Sequence, residues 1–80
     1  MNCLIVEDDE ISRISLLKFC EKIDDLQVIG VCENVSQAIE YLQKNEIDLI
    51  FLDIELPGTT GLDLVKEMRD LPLIVFTTAK

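Results

Sequence analysis

The apolar run at residues 47–52 most constrains what this chain can fold into, because it has the length of a strand and only one charged residue, Asp48. Strands that are covered on both faces, as in parallel sheets, are nearly continuous hydrophobic runs of this kind. The run ends on Asp53, and Pro57 and Gly58 then interrupt regular structure. Open α/β sheets bind ligands at the carboxyl ends of their strands. The run therefore predicts a buried strand with a candidate functional carboxylate, Asp53, at its tip.

The other hydrophobic patterns alternate between strand and helix periods. Short apolar runs at residues 3–6, 26–32 and 73–76 predict three more strands. Three helices are predicted between the strands, each with apolar residues at helical spacing that should face the core. These residues are Leu16, Phe19, Cys20 and Ile23 in the first helix, Val35, Ala38, Ile39 and Leu42 in the second, and Leu62, Val65 and Met68 in the third. This β-α-β-α-β-α-β order predicts one α/β domain over residues 1–80, with a parallel sheet and helices on both faces. We expect the flavodoxin-like strand order 2-1-3-4, with its switch point between strands 1 and 3.

Polar residues predict where two of these helices begin. Asp9 and Glu10 precede the first helix, where the helix dipole favours negative charge, so we interpret both as helix-start residues. Asn34, followed by Gln37 three residues later, resembles a capping box for the second helix.

The chain is strongly acidic, with 16 Asp and Glu residues against 7 Lys and Arg and a formal net charge of −9. Nucleic-acid binding relies on cationic side chains that face phosphates, so we expect no direct nucleic-acid binding by this segment. No apolar run approaches the ~20 residues of a membrane span, and no basic region precedes the first apolar run. We therefore expect a soluble, cytoplasmic protein without membrane association.

The residue types present limit the chemistry available. Histidine is absent, which excludes the usual zinc sites and nucleophilic catalysis assisted by histidine. The three cysteines, Cys3, Cys20 and Cys32, have no CxxC spacing, so we expect reduced thiols that act as small core residues.

Carboxylates follow both strands that flank the predicted switch point: Glu7 and Asp8 after strand 1, and Asp53 after strand 3. Converging carboxylates repel each other unless a cation lies among them. Oxygen ligands without His or Cys favour a hard ion, Mg²⁺ first. A carboxylate beside Mg²⁺ can attack a phosphoryl group and become an aspartyl phosphate. We therefore predict Asp53 as the nucleophile and Glu7 and Asp8 as the cation site; the alternative is that all three are solvated strand-end acids.

Three motifs together resemble the receiver domain of two-component response regulators: residues 4–9, residues 49–58 with Gly61, and residues 74–79. They follow the family's order and spacing along the whole chain. The resemblance implies that Asp53 accepts a phosphoryl group from a phosphohistidine on a sensor histidine kinase. It also implies that Mg²⁺ is bound by Asp8 directly, by Glu7 through water, by Asp53 and by the backbone carbonyl of Glu55, and that the Thr78 hydroxyl is the switch that reports phosphorylation.

Receiver domains continue through another helix, a fifth strand and a last helix, and their fifth strand ends in a lysine that pairs with the phosphoryl oxygens. Lys80 is not at that position. We therefore expect a partial receiver whose fourth strand is an exposed edge. The chain is either a piece of a longer regulator or completes itself by homodimerisation or strand exchange through that strand. Residues 56–58 and 76–79 are similar to receivers attached to LytTR-type DNA-binding domains, which implies transcription regulation by the parent protein.

Three functions stay open. The first is a phosphoacceptor signalling domain, which catalyses its own phosphorylation but is not an enzyme. The second is a truncated receiver that acts only as a protein interaction module. The third is a haloacid-dehalogenase-like phosphotransferase, which the Asp53 and Glu55 spacing fits superficially; that family places its nucleophile on the first strand and gives Glu7 and Asp8 no role.

Overall fold

The computed structural model describes residues 1–54 and 72–77 of the 80-residue chain. Within these residues the elements are β1 (Asn2–Val6), α1 (Glu10–Glu21), β2 (Gln27–Cys32), α2 (Val35–Lys44), β3 (Leu49–Asp53) and β4 (Leu73–Thr77). The third predicted helix lies outside the described residues.

The four strands form one parallel sheet in the order β2-β1-β3-β4, which confirms the predicted order. β1 and β3 are the central pair, and every residue of β3 is buried. Their register places Val6 opposite Leu52, so the next residues, Glu7 and Asp53, lie side by side where both strands end. The acids predicted to meet at the switch point therefore do meet there.

Side chains alternate between the two faces of the sheet, as the pleat requires, and each face has its own hydrophobic core. On the face covered by α1, Cys20 packs with buried residues of β1 and β3, namely Cys3, Ile5, Leu49 and Phe51. On the opposite face, Val35 and Ala38 of α2 pack with Leu4, Val6, Cys32, Ile50 and Leu52. All three cysteines are free and buried, and burial raises the pKa of Cys3 and of Cys32 to about 11. They are core residues, as predicted.

The predicted buried stripe of α1 is wrong at two positions. The side chain of Phe19 is 53% exposed, and Ile23, beyond the end of the helix, is 36% exposed. The residues of α1 that pack against the sheet are Leu16, Leu17 and Cys20. At 100° per residue these three lie within one arc of the helix, and Phe19 points away from it. The face of α1 that packs on the sheet is therefore rotated around the helix axis relative to the predicted face, away from Phe19 and towards Leu17.

Both described helices begin at the predicted caps. Asp9 is the N-cap of α1, and its carboxylate accepts hydrogen bonds from the backbone N–H and the hydroxyl of Ser12, which lower the pKa of Asp9. Asn34 is the N-cap of α2 and accepts from the N–H of Gln37 at 2.9 Å. The Gln37 side chain accepts in return from the N–H of Glu33, one residue earlier than in the standard capping box.

β4 is one edge of the described sheet, and Leu73 and Phe76 are 62% and 56% exposed. Association of two copies through this strand remains a prediction. Neither α1 nor α2, with 12 and 10 residues, is long and apolar enough to cross a membrane.

Gly30 of β2 lies directly beneath the ring of Tyr41 from α2. A Cβ atom at Gly30 would be 2.5 Å from Cζ of Tyr41, far inside van der Waals contact. We expect Gly30→Ala to lower the free energy of unfolding by about 1–3 kcal/mol, because the ring and α2 must shift outward. Urea denaturation monitored by circular dichroism measures this change.

The matched control is Gly30→Ala in a Tyr41→Ala background, which removes the ring that the new methyl group would meet. In that background the Gly30 substitution should lower the free energy of unfolding by less than about 0.5 kcal/mol. An equal cost in both backgrounds would contradict the proposed steric cause.

Candidate functional site: a carboxylate cluster at the switch point

The site is built by the carboxyl ends of β1 and β3. Glu7 directly follows β1, and its backbone N–H donates to the carbonyl oxygen of Cys32, so pairing between β1 and β2 continues through this residue. Asp53 is the last residue of β3, and the N–H of Ile54 donates to the carbonyl oxygen of Thr77. Both acids are therefore held by sheet hydrogen bonds on the side away from each other.

Carboxylate oxygens of Glu7, Asp8 and Asp53 lie within 4.8 Å of one another. Glu7 and Asp53 are 1% and 3% exposed, whereas Asp8 is exposed at the rim of the cluster. The cluster thus has a buried floor of two acids and one acid that faces solvent. The structure brings together the three residues that sequence reasoning selected.

Burial and the neighbouring Asp53 favour the protonated form of Glu7. The pKa of Glu7 is raised from its ordinary value of 4.5 to about 7, first by burial and then by the hydrogen bond to Asp53 and the charge of Asp53. Backbone N–H groups of Asp9 and Asp8 act in the opposite direction. The Asp8 N–H lies 3.1 Å from a carboxylate oxygen of Glu7. When Glu7 is protonated, its carboxyl donates to Asp53.

Sequence reasoning missed Arg13, the basic residue nearest to the cluster along the chain. Its guanidinium Nη1 donates to the backbone carbonyl oxygens of Glu7 and Asp8, at 3.2 and 3.1 Å. The same nitrogen lies 3.5 Å from the carboxylate of Glu33, in the turn between β2 and α2. The available signal was a basic residue four positions after the N-cap Asp9, a spacing that places it on the first turn of α1.

Thr77 also lies beside the cluster, because β3 and β4 pair Asp53 with Thr77. Its hydroxyl oxygen is buried and makes no hydrogen bond in the described part of the chain. Glu55 and Thr78, predicted as metal ligand and switch residue, lie outside the described residues.

The donor set of the cluster fits Mg²⁺. All three groups offer carboxylate oxygens, the hard ligands that Mg²⁺ prefers, and exposure of Asp8 leaves room for the waters that the ion retains. Three acids within 4.8 Å also provide the negative charge that a divalent cation offsets. The site can therefore hold a cation next to a carboxylate oxygen of Asp53.

Comparison with known proteins identifies the family. Residues 3–80 match the response regulator receiver domain, and the chain belongs to this family. It is 39% identical over 82 residues to the sensory transduction protein LytR of Staphylococcus saprophyticus, and 36% identical over 78 residues to the transcriptional regulatory protein BtsR of Escherichia coli K12. These alignments cover 99% and 95% of this chain. They cover 32% and 33% of the relatives, so the chain spans about a third of the length of the curated relatives it matches.

Solved structures agree with this assignment. The MaeR response regulator bound to beryllium trifluoride superposes with a TM-score of 0.86 and 30% identity, over 100% of this chain and 68% of MaeR. The response regulatory domain of mrkE from Klebsiella pneumoniae gives a TM-score of 0.85 at 30% identity, with the same coverage. The flavodoxin-like receiver fold and a place in two-component signalling follow from these matches.

Proposed function

We propose that Asp53 is the phosphoacceptor of this receiver and takes its phosphoryl group, in a Mg²⁺-dependent reaction, from a phosphohistidine on a sensor histidine kinase. The observation that carries the proposal is the cluster of Glu7, Asp8 and Asp53 at the switch point. MaeR, which shares this fold, binds beryllium trifluoride, a small fluoride complex with the shape of a phosphoryl group. Because BtsR is a transcriptional regulatory protein, transcription control is the proposed output of the full-length protein.

In the proposed reaction an oxygen of Asp53 forms a bond to phosphorus while the bond between phosphorus and the donor imidazole nitrogen breaks. The electron pair of that bond leaves with the imidazole, and the product is an aspartyl phosphate. The backbone of β3 holds Asp53 at the end of the strand, and most of the catalysis would be positioning of the two reacting groups. Bound Mg²⁺ would neutralise the charge on the phosphoryl oxygens.

The other residues of the site have supporting roles. Asp8, at the solvent side, and Glu7, on the buried side, would hold the cation, and the backbone carbonyl of Glu55 is the further proposed ligand. Because the pKa of Glu7 is raised to about 7, Glu7 must lose its proton before it can contribute a charge to the cation site. Thr78 is the proposed switch, whose hydroxyl would donate to a phosphoryl oxygen on Asp53.

Incubation with Mg²⁺ and acetyl phosphate, followed by intact mass spectrometry, tests the proposal. We expect one phosphoryl adduct per chain, and no adduct when a chelator is present throughout the incubation. An adduct that needs no Mg²⁺, or no adduct on protein that binds Mg²⁺, would contradict it. Steady turnover of a phosphate ester would instead favour a phosphotransferase.

A further inference from the structure

Arg13 connects three parts of the molecule that surround the carboxylate cluster. It belongs to the first turn of α1, it donates to two successive carbonyl groups that follow β1, and it faces Glu33 after β2. Only 21% of its side chain is exposed. None of these contacts involves a carboxylate of the cluster, so Arg13 acts on the backbone that carries the acids.

We propose that Arg13 is a positioning residue that sets the direction of the Asp8 carboxylate for cation binding. The carbonyl oxygens of Glu7 and Asp8 belong to the two peptide planes on either side of the Asp8 Cα. Because peptide groups are planar, fixing both planes fixes the backbone dihedral angles of Asp8 and therefore the direction of its Cβ. The inference rests on the proposed function, since it assigns Asp8 to the cation site.

Asp8 depends on a positioning contact more than Glu7 and Asp53 do. Glu7 and Asp53 are buried, held by sheet hydrogen bonds and hydrogen-bonded to each other. Asp8 is exposed, so core packing does not set its direction. Its backbone lies between the end of β1 and the N-cap Asp9, and the guanidinium group spans that connection.

The ion pair between Arg13 and Glu33 contributes less to the positioning of Asp8 than the two carbonyl contacts do. Glu33 is 64% exposed and its carboxylate is 3.5 Å from Nη1, and exposed pairs of this kind contribute little. We therefore assign the positioning to the two hydrogen bonds. Glu33 then supplies a control, because Glu33→Gln removes the ion pair and leaves the carbonyl contacts in place.

Positioning and simple electrostatics predict opposite changes in cation affinity when Arg13 is removed, which makes the inference testable. Arg13 carries a positive charge near a cation site, so its removal should strengthen cation binding if charge alone mattered. If Arg13 positions Asp8, its removal should weaken binding although a repulsive charge has gone. Loss of groups that orient metal ligands typically weakens binding by about 10–100-fold.

The experiment measures Mn²⁺ affinity by electron paramagnetic resonance and Mg²⁺ affinity by calorimetry, with amide NMR spectra of the same samples. We expect Arg13→Met to weaken binding about tenfold and to shift the amide signals of Asp8 and Asp9. Arg13→Lys, which keeps the charge but replaces the planar guanidinium by a single ammonium group, should recover part of the affinity. Glu33→Gln should stay within about twofold of the wild type.

Equal or tighter binding by a folded Arg13→Met variant would overturn the inference. If that variant fails to fold, Arg13→Lys decides: weaker binding at unchanged charge supports positioning, and wild-type affinity overturns it. Asp8→Asn separates the two proposals. If the wild type binds no metal, or binds it as well after Asp8→Asn, the proposed cation site itself is wrong and the inference fails with it.

Discussion

Asp53→Asn is expected to abolish the phosphoryl adduct completely. The carboxamide has nearly the shape of the carboxylate, but it lacks the negatively charged oxygen that attacks phosphorus. The substitution also removes one of the three charges that hold the cation. Intact mass after incubation with Mg²⁺ and acetyl phosphate should therefore show only unmodified protein, at any incubation time that phosphorylates the wild type.

Asp48→Asn is the matched control for this loss. Asp48 directly precedes β3, so it lies at the opposite end of the strand from Asp53, and its carboxylate accepts a hydrogen bond from the N–H of Asn2 at 2.8 Å. The amide oxygen of an asparagine can accept the same bond. This variant should keep its fold and its adduct. An adduct that persists in Asp53→Asn would place the phosphoacceptor elsewhere.

The parts of this molecule that the sequence predicted depend on local patterns. β3 was predictable because its first four residues are buried and apolar, and the site was predictable because parallel strands carry Glu7 and Asp53 to the same edge. Asp9 and Asn34 were predictable as caps, since capping is a contact between residues three positions apart.

The errors arose where several arrangements fit one pattern. Residues 16, 17, 19 and 20 of α1 are all apolar, so two phases of the helical stripe were compatible with the sequence, and packing against β1 chose the phase that leaves Phe19 exposed. Arg13 contacts backbone carbonyls, so its spacing from Asp9 indicated its place on the first turn of α1 but not its partners. Membership of the receiver family, over residues 3–80, leaves the haloacid-dehalogenase alternative without support.

The stability of the metal-free protein is expected to fall as the pH rises from about 4.5 to about 7. The folded protein binds the Glu7 proton more tightly than the unfolded chain does, because the pKa of Glu7 rises from 4.5 to about 7 on folding. The stabilising effect is complete below the unfolded value and is lost as the pH passes the folded value. The loss should be on the order of 3 kcal/mol, measured by urea unfolding from about pH 5 to about pH 8 in the presence of a chelator.

Glu7→Gln provides the control, since a neutral amide can donate to Asp53 as the protonated acid does. The variant should match the wild type near pH 5 and exceed it in stability near pH 8, with most of the pH dependence removed. Mg²⁺ should have the opposite dependence in the wild type: it competes with the proton for the cluster, so its stabilising effect should grow as the pH rises through about 7. An identical slope of stability against pH in the wild type and in Glu7→Gln would show that another group causes the pH dependence. A Mg²⁺ effect that does not change with pH would show that the ion does not displace the Glu7 proton, and that the cation lies outside this cluster.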